Sequence, residues 1–224
     1  MKAMILAAGR GQRMRPLTDT VPKPLLVVGG RSLIEHHIDA LASAGIEALV
    51  INLAWRGDEI RDFLGNGARY GLEIIYSDEG SEALETGGGI YQALSTLGSD
   101  AFWLVNADVY CEFNYRPLSL DAGVLGHLIM VPNPGHHPDG DFCLDRGRLH
   151  SRGKENLTYS GLAVLHPGLF KDSAPGKFPL APLLIKAMNQ DAISGEKFDG
   201  LWVDVGTPER LGELDKLLSD RRSD

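Results

Sequence analysis

Apolar and polar positions change period several times along the chain, and each change marks an element. Residues 4–7 form a short continuous apolar run, the pattern of a strand buried on both faces, ending at Gly9 and Gly11. Ser32 and Glu35 have capping-box spacing, and Leu33, Ile34, His37, Ile38 and Leu41 then recur at helical intervals until Gly45. Residues 48–53 read as a strand, 58–64 as a short helix, 73–76 as a strand, 89–97 as a helix and 101–106 as a further buried strand. This βαβα succession predicts a mainly parallel sheet with helices on both faces. Beyond residue 110 the rhythm loosens. Residues 125–131 are strand-like, 133–141 (NPGHHPDGD) a loop by composition, and 142–149 a hairpin turning at Arg146-Gly147. A strand over 157–165, a helix over 180–188 and a last strand over 201–205 follow, and Thr207 with Pro208 opens a final helix. There is no repeat or linker, so the chain reads as one α/β domain over residues 1–224. Its halves, 1–110 and 111–224, are expected to share one sheet.

Charge and composition narrow the function. A formal charge of −8 argues against a nucleic-acid groove and makes any phosphate site a local basic spot. No apolar run approaches the roughly 20 residues of a membrane span, and no secretory signal opens the chain. Cys111 and Cys143 are too few for a disulfide framework, the pattern of reduced thiols in a cytoplasmic protein.

The richest segment is 5–26, ILAAGRGQRMRPLTDTVPKPLL. Gly9 and Gly11 let the backbone turn and bring its N–H groups to an anion. Arg13 follows, and Lys23 stands between Pro22 and Pro24. Backbone donors and two fixed cations after a strand suit a triphosphate whose α-phosphorus is attacked. A dinucleotide fingerprint would need a third glycine where Met14 stands, and no Gly-Lys-Ser/Thr triplet supports a Walker loop.

LAAGxGxRMxPLT followed by PKPL resembles the opening of the sugar-1-phosphate nucleotidyltransferases over more than twenty positions. The resemblance implies a Rossmann-like three-layer fold with a mixed, mainly parallel sheet. It also implies a reaction of a nucleoside triphosphate with a sugar phosphate. Gln12 departs from the Thr of many members, which bears on the choice of nucleotide. Leu6, Ala7, Ala8, Gly9 and Gly11 fall on the nucleotide-binding positions of the motif.

Transfer from a triphosphate calls for a divalent cation, and Mg²⁺ takes one or two carboxylates with waters and phosphate oxygens. Asp108 follows the strand AFWLVN, where open α/β sheets present ligands, and Asp204 lies in LWVDVGTP. Both also match the family's metal positions. Asn106-Ala107-Asp108 is similar to a degenerate DxD of glycosyltransferases, which would not need Arg13 and Lys23 around a departing pyrophosphate. Glu79, Glu82 and Glu85 read as a solvated loop, Glu85 being the candidate exception, and His136-His137 as a surface loop or lid rather than a metal site.

LETGGGI puts three glycines at a helix start, a loop through which the backbone reaches a base, with Gly88 and Glu85 as the candidate contacts. Glu85, GHHPDGDF, TYSGLAVLHP, KFPLAPLL and WVDVGTPERL resemble the short uridylyltransferases acting on N-acetylmuramate 1-phosphate in peptidoglycan recycling. The resemblance implies UTP and a sugar 1-phosphate as partners. It places Gly140, Tyr159, Ser160 and Gly161 at the sugar, with Glu155 the nearest acidic candidate. The lactyl carboxylate of a muramic sugar needs a cation, for which Arg31, Arg152, Lys154 and Lys177 are available. The alternatives are a mannose 1-phosphate guanylyltransferase, a phosphocholine cytidylyltransferase or a silent nucleotide-sugar sensor. The expected chemistry is direct in-line displacement with neither a general base nor a covalent nucleophile.

Overall fold

The computed structural model describes residues 1–80 and 83–223. The first half runs β1 (Lys2–Leu6), α1 (Leu17–Thr20), β2 (Val27–Val28), β3 (Arg31–Ser32), α2 (Leu33–Ser43), β4 (Ala48–Leu53), α3 (Gly57–Leu64), β5 (Glu73–Asp78), α4 (Glu85–Leu97) and β6 (Phe102–Asn106). The second half runs β7 (Val109–Cys111), β8 (Gly126–Val131), β9 (Phe142–Asp145), β10 (Arg148–His150), β11 (Asn156–Leu165), α5 (Ala181–Met188), β12 (Ile193–Lys197), β13 (Trp202–Asp204) and α6 (Pro208–Ser223). Nine strands form one mixed sheet in the order β5-β4-β1-β6-β11-β8-β12-β10-β9. β5, β4, β1 and β6 are parallel; β11 joins antiparallel to both β6 and β8. The halves therefore do share a sheet, but the last strand does not belong to it: β13 pairs with β7 in a separate ribbon. The 3.3 Å rise and two-sided burial explain the apolar runs. In β1, Ala3 and Ile5 face one core with α2, while Met4 faces the other with α4.

The Ser32–Glu35 capping box forms as expected: Glu35 Oε2 accepts from the Ser32 N–H at 3.1 Å. A third apolar cluster decides the site's shape. Met14, Leu26 and Val28 pack with Val205, Leu214 and Leu218, so α6 holds the glycine loop and the β13 end against each other. β12 was not expected from sequence. Its ISGEK carries only one large apolar residue, because it is covered mainly by α5 and by its parallel partner β8. No helix among the described residues is long and apolar enough to cross a membrane.

Candidate active site

The carboxyl end of β1 lies between those of β4 and β6, Leu6 pairing with Asn52 on one side and Asn106 on the other. The chain leaving β1 is tied to both neighbours. The Ala7 N–H donates to Asn52 Oδ1 at 2.8 Å, and the Leu6 carbonyl accepts from Ala107 N at 3.1 Å. Gly11 then turns with φ +66°, and a Cβ there would stand 3.0 Å from Thr18 and 3.1 Å from Lys23. Thr18 closes the loop by donating its hydroxyl to the Gly11 carbonyl at 2.9 Å. Leu6, Ala7, Ala8, Gly9, Gly11, Arg13 and Lys23 thus line one cavity of about 490 Å³, whose walls also include Asn52, Glu79, Glu85, Asn106 and Asp108. That volume suits a nucleotide-sized ligand.

Lys23 is buried, and its Nζ sits 2.7 Å from Asp108 Oδ2. Burying an ammonium requires such a partner, and the proline-flanked turn Lys23–Leu25 fixes where the charge points.

Glu79 is a brace rather than a solvated loop residue, which corrects the sequence reading. Its Oε1 accepts from Asn52 Nδ2 at 2.6 Å and its Oε2 from the Leu84 N–H at 2.7 Å, at the start of α4. The anionic group thereby meets the positive end of the helix dipole. Glu82 lies outside the described residues. Glu85 is exposed, lines the cavity and has φ +61°, a left-handed conformation that costs a non-glycine residue about 1 kcal/mol.

Gly88 is not where the sequence put it. α4 begins at Glu85, four residues before Gly89, and buries Gly88 in its first turn with its N–H already donated to the Phe178 carbonyl at 3.0 Å. A Cβ on Gly88 would come within 2.2 Å of the Gly176 carbonyl oxygen. The glycine therefore admits the 176–178 segment against the helix.

A second cavity, about 340 Å³, opens beside the first. Tyr159, Ser160, Gly161, Asp204 and His136 line it, and Arg13, Asn106 and Asp108 belong to both walls. β11 breaks its register with β8 between Tyr159 and Ala163, so this bulge presents backbone to the cavity. The Ser160 hydroxyl accepts from the Leu162 N–H at 3.1 Å, and its carbonyl accepts from the Trp202 indole at 2.9 Å. The Tyr159 Oη is buried without a hydrogen-bond partner, and burial pushes its phenol far above the usual value.

Asp108 and Asp204 are brought together: the Val205 N–H donates to the Asp108 carbonyl at 3.1 Å, and both side chains reach the second cavity. Asp204 Oδ2 accepts from Arg210 Nη1 at 2.7 Å, with His136 Nε2 3.3 Å away. His136 is thus an exposed residue of the loop, as expected, that also lines the cavity. Beneath β7, buried His37 donates from Nε2 to the Val109 carbonyl at 2.7 Å, so its Nδ1 accepts from Tyr115 at 3.2 Å. Burial holds this imidazole neutral, lowering its pKa to about 4.

Two expected sugar residues are elsewhere. Gly140 lies in the loop behind His137 and is not on the wall of either cavity, and exposed Glu155 precedes β11 outside both. Asn52, Glu79 and Arg210 were missed. Asn52 and Glu79 are partners 27 residues apart, and Arg210 joins Asp204, six residues away, to His136, 74 away; only the Asn that ends each of the runs LVIN and FWLVN was a usable signal.

Residues 2–127 match the Nucleotidyl transferase family. The N-acetylmuramate alpha-1-phosphate uridylyltransferase of Neisseria meningitidis serogroup B is 48% identical, with 97% of this chain and 98% of that protein covered. The enzyme of the same name from Caulobacter vibrioides is 34% identical, covering 92% of each. The mannose-1-phosphate guanyltransferase of Schizosaccharomyces pombe is 30% identical over 93% of this chain but only 62% of its own length. Among solved structures, a putative glucose-1-phosphate thymidylyltransferase from Bacillus anthracis superposes with TM-score 0.85 at 20% identity, covering 98% of this chain and 96% of that one. That likeness concerns the fold.

Proposed function

Because the chain belongs to the nucleotidyl transferase family, we propose that it moves the uridylyl group of UTP onto N-acetylmuramate 1-phosphate, releasing pyrophosphate and a UDP-sugar. The two uridylyltransferase relatives, matched almost end to end, support the substrates. The wall shared by the two cavities carries the mechanism, because two substrates seated there meet at Arg13, Asn106 and Asp108. The turn at Gly9 and Gly11 offers its N–H groups to the triphosphate, and Arg13 and Lys23 neutralise charge around the α-phosphate. Glu85 stands at the base end. Tyr159, Ser160 and Gly161 floor the acceptor's seat. The acceptor phosphate is its own nucleophile: with a second pKa near 6 it is largely dianionic at neutral pH, and no side chain need take a proton. We read the setting as cytoplasmic recycling of peptidoglycan sugar, on the strength of the muramate acceptor in the relatives' names.

Mg²⁺ fits the residues present. Asp108 and Asp204 are hard oxygen donors joined through the Val205–Asp108 backbone bond, and two carboxylates with substrate oxygens and water form an acceptable set. No cluster of three His, Cys, Asp or Glu among the described residues suggests a fully protein-built site. When bound, Mg²⁺ supplies charge neutralisation to the phosphates and the departing pyrophosphate. Lys23 and Arg210, which hold these carboxylates in the structure, would be freed for anionic substrate groups.

Pyrophosphate release from a panel of triphosphates against sugar 1-phosphates and phosphocholine tests the proposal. UTP with N-acetylmuramate 1-phosphate is expected to give the highest kcat/KM. A higher value for GTP with mannose 1-phosphate, or CTP with phosphocholine, overturns the substrates. Tight UTP binding with no release from any pair overturns the enzyme.

A further inference from the structure

Behind the wall of the acceptor cavity stands a cationic device that a neutral sugar would not use. Arg210, in the first turn of α6, has its side chain only 19% exposed, with Nη1 2.7 Å from Asp204 Oδ2 and 2.7 Å from His136 Nε2. His136 comes from a braced loop. Asn133 Nδ2 donates to the Pro138 and Asn156 carbonyls, and Asn133 Oδ1 accepts from the Thr158 hydroxyl. One turn later Asp141 takes the His137 imidazole at 3.1 Å and the Tyr159 N–H at 2.8 Å. Gly206 makes room on the other side, since a Cβ there would stand 2.5 Å from Arg210 Nη2. Arg210 is not itself on the wall of either cavity; helix and loop hold its guanidinium directly behind two acceptor-wall residues, Asp204 and His136, and the Asp204 pair shows that it binds a carboxylate there. The four cations the sequence offered for this task stand further off: like Arg210 none of them lines a cavity, but among the described residues none is bonded to a wall residue either, Arg31 pairing with Asp39 at 2.6 Å and Arg152, Lys154 and Lys177 being exposed.

Resting on the function proposed above, we propose that Arg210 determines acceptor specificity by binding the carboxylate of the muramic lactyl group, with His136 orienting its guanidinium. The planar fork of Arg matches a carboxylate bidentately, which a lysine on the surface would not reproduce. Asp204 holds the fork in the structure; with that carboxylate engaged by Mg²⁺ the fork would be free for the substrate's carboxylate, and a neutral amino sugar would offer it none.

The test compares KM for N-acetylmuramate 1-phosphate and for N-acetylglucosamine 1-phosphate, which differs by lacking the lactyl group, in the wild type and in Arg210→Gln and His136→Gln. Loss of one charge-assisted pair should raise KM for the acidic acceptor about 10- to 100-fold more than KM for the neutral one in Arg210→Gln. His136→Gln should move the same ratio in the same direction by a smaller factor. Equal changes on both acceptors would overturn the inference, because Arg210 would then serve Asp204 alone. Should Arg210→Gln not fold, Arg210→Lys keeps the charge beside Asp204 and must still narrow the ratio; an unchanged ratio overturns the inference. A wild type that turns over neither acceptor with UTP refutes the proposed function instead, so the two failures are distinguishable.

Discussion

The two cavities are built by different means. The nucleotide-side wall is built around one stretch, residues 6–9, 11–14 and 23–24, anchored by the β1–β4 and β1–β6 ladders and completed by Asn52 and Asn106 at the ends of the neighbouring strands and by Glu79 and Glu85. The acceptor-side wall is gathered from β7, the 132–141 loop, the β11 bulge and the β13 ribbon, segments almost a hundred residues apart. Two carboxylate–cation pairs stand at these walls, but not on equal terms: Lys23 with Asp108, which both cavities share, and Arg210 with Asp204 at the acceptor side. The Lys23 side chain is only 8% exposed while that of Asp108 is 42% exposed, whereas Arg210 and Asp204 are similarly exposed at 19% and 22%. The first pair has a fixed charge aimed outward; the second is a balanced pair that a ligand can divide. A site made of local backbone geometry fixes the common chemistry, and a site made of long-range side-chain contacts can vary with the acceptor.

The contrast can be broken by substitution. Lys23→Ala should lower kcat by roughly 10²–10³, the scale for one preorganised electrostatic donor, with little change in KM for the acceptor. An effect confined to KM would place Lys23 in ground-state binding. Asp108→Asn and Asp204→Asn should each raise the Mg²⁺ concentration needed for half-maximal rate. An unmoved metal titration in either would remove that residue from the metal's donor set.

Stability sharpens the same comparison. Asn52→Ala leaves the Ala7 N–H and Glu79 Oε1 without their Asn52 partner and should cost about 1–3 kcal/mol in denaturant melts while raising KM for UTP. His37 supports the Asp108-bearing turn and is held neutral, its pKa lowered from 6.5 to about 4 by burial. Between these values the unfolded chain binds the proton and the folded chain does not, so stability falls as pH drops from 6.5 toward 4, by up to about 3 kcal/mol. His37→Gln should flatten that acid limb; an unchanged slope would assign the loss to other groups. Smallest of all, Glu155→Ala should change kcat/KM less than about twofold, as expected of an exposed side chain off both walls. A tenfold loss would return it to the acceptor site.

Legibility followed the same divide. The parallel strands, the capping box, the glycine turn after β1 and the placing of the two aspartates beside a cavity could be read because each rests on local pattern: apolar runs, glycine spacing, a residue at or just past a strand's end. Gly88 misled because three glycines look like a loop; inside the helix, Gly87 and Gly88 admit residues 176–178, and Gly89 admits Glu79 and Asn52. β13 left the main sheet because its neighbour β7 turns away after Asn106, which no periodicity encodes. Arg210, His136 and Glu79 owe their roles to partners 6, 74 and 27 residues distant, the Asp204, Arg210 and Asn52 contacts, respectively.

The central claim is that the acceptor's phosphate meets the α-phosphorus directly across the shared wall. Turnover of chiral α-thio-UTP tests it most directly. The account predicts inversion of configuration at the α-phosphorus in the UDP-sugar product. Retention would require two displacements through an enzyme-bound intermediate, and would contradict it.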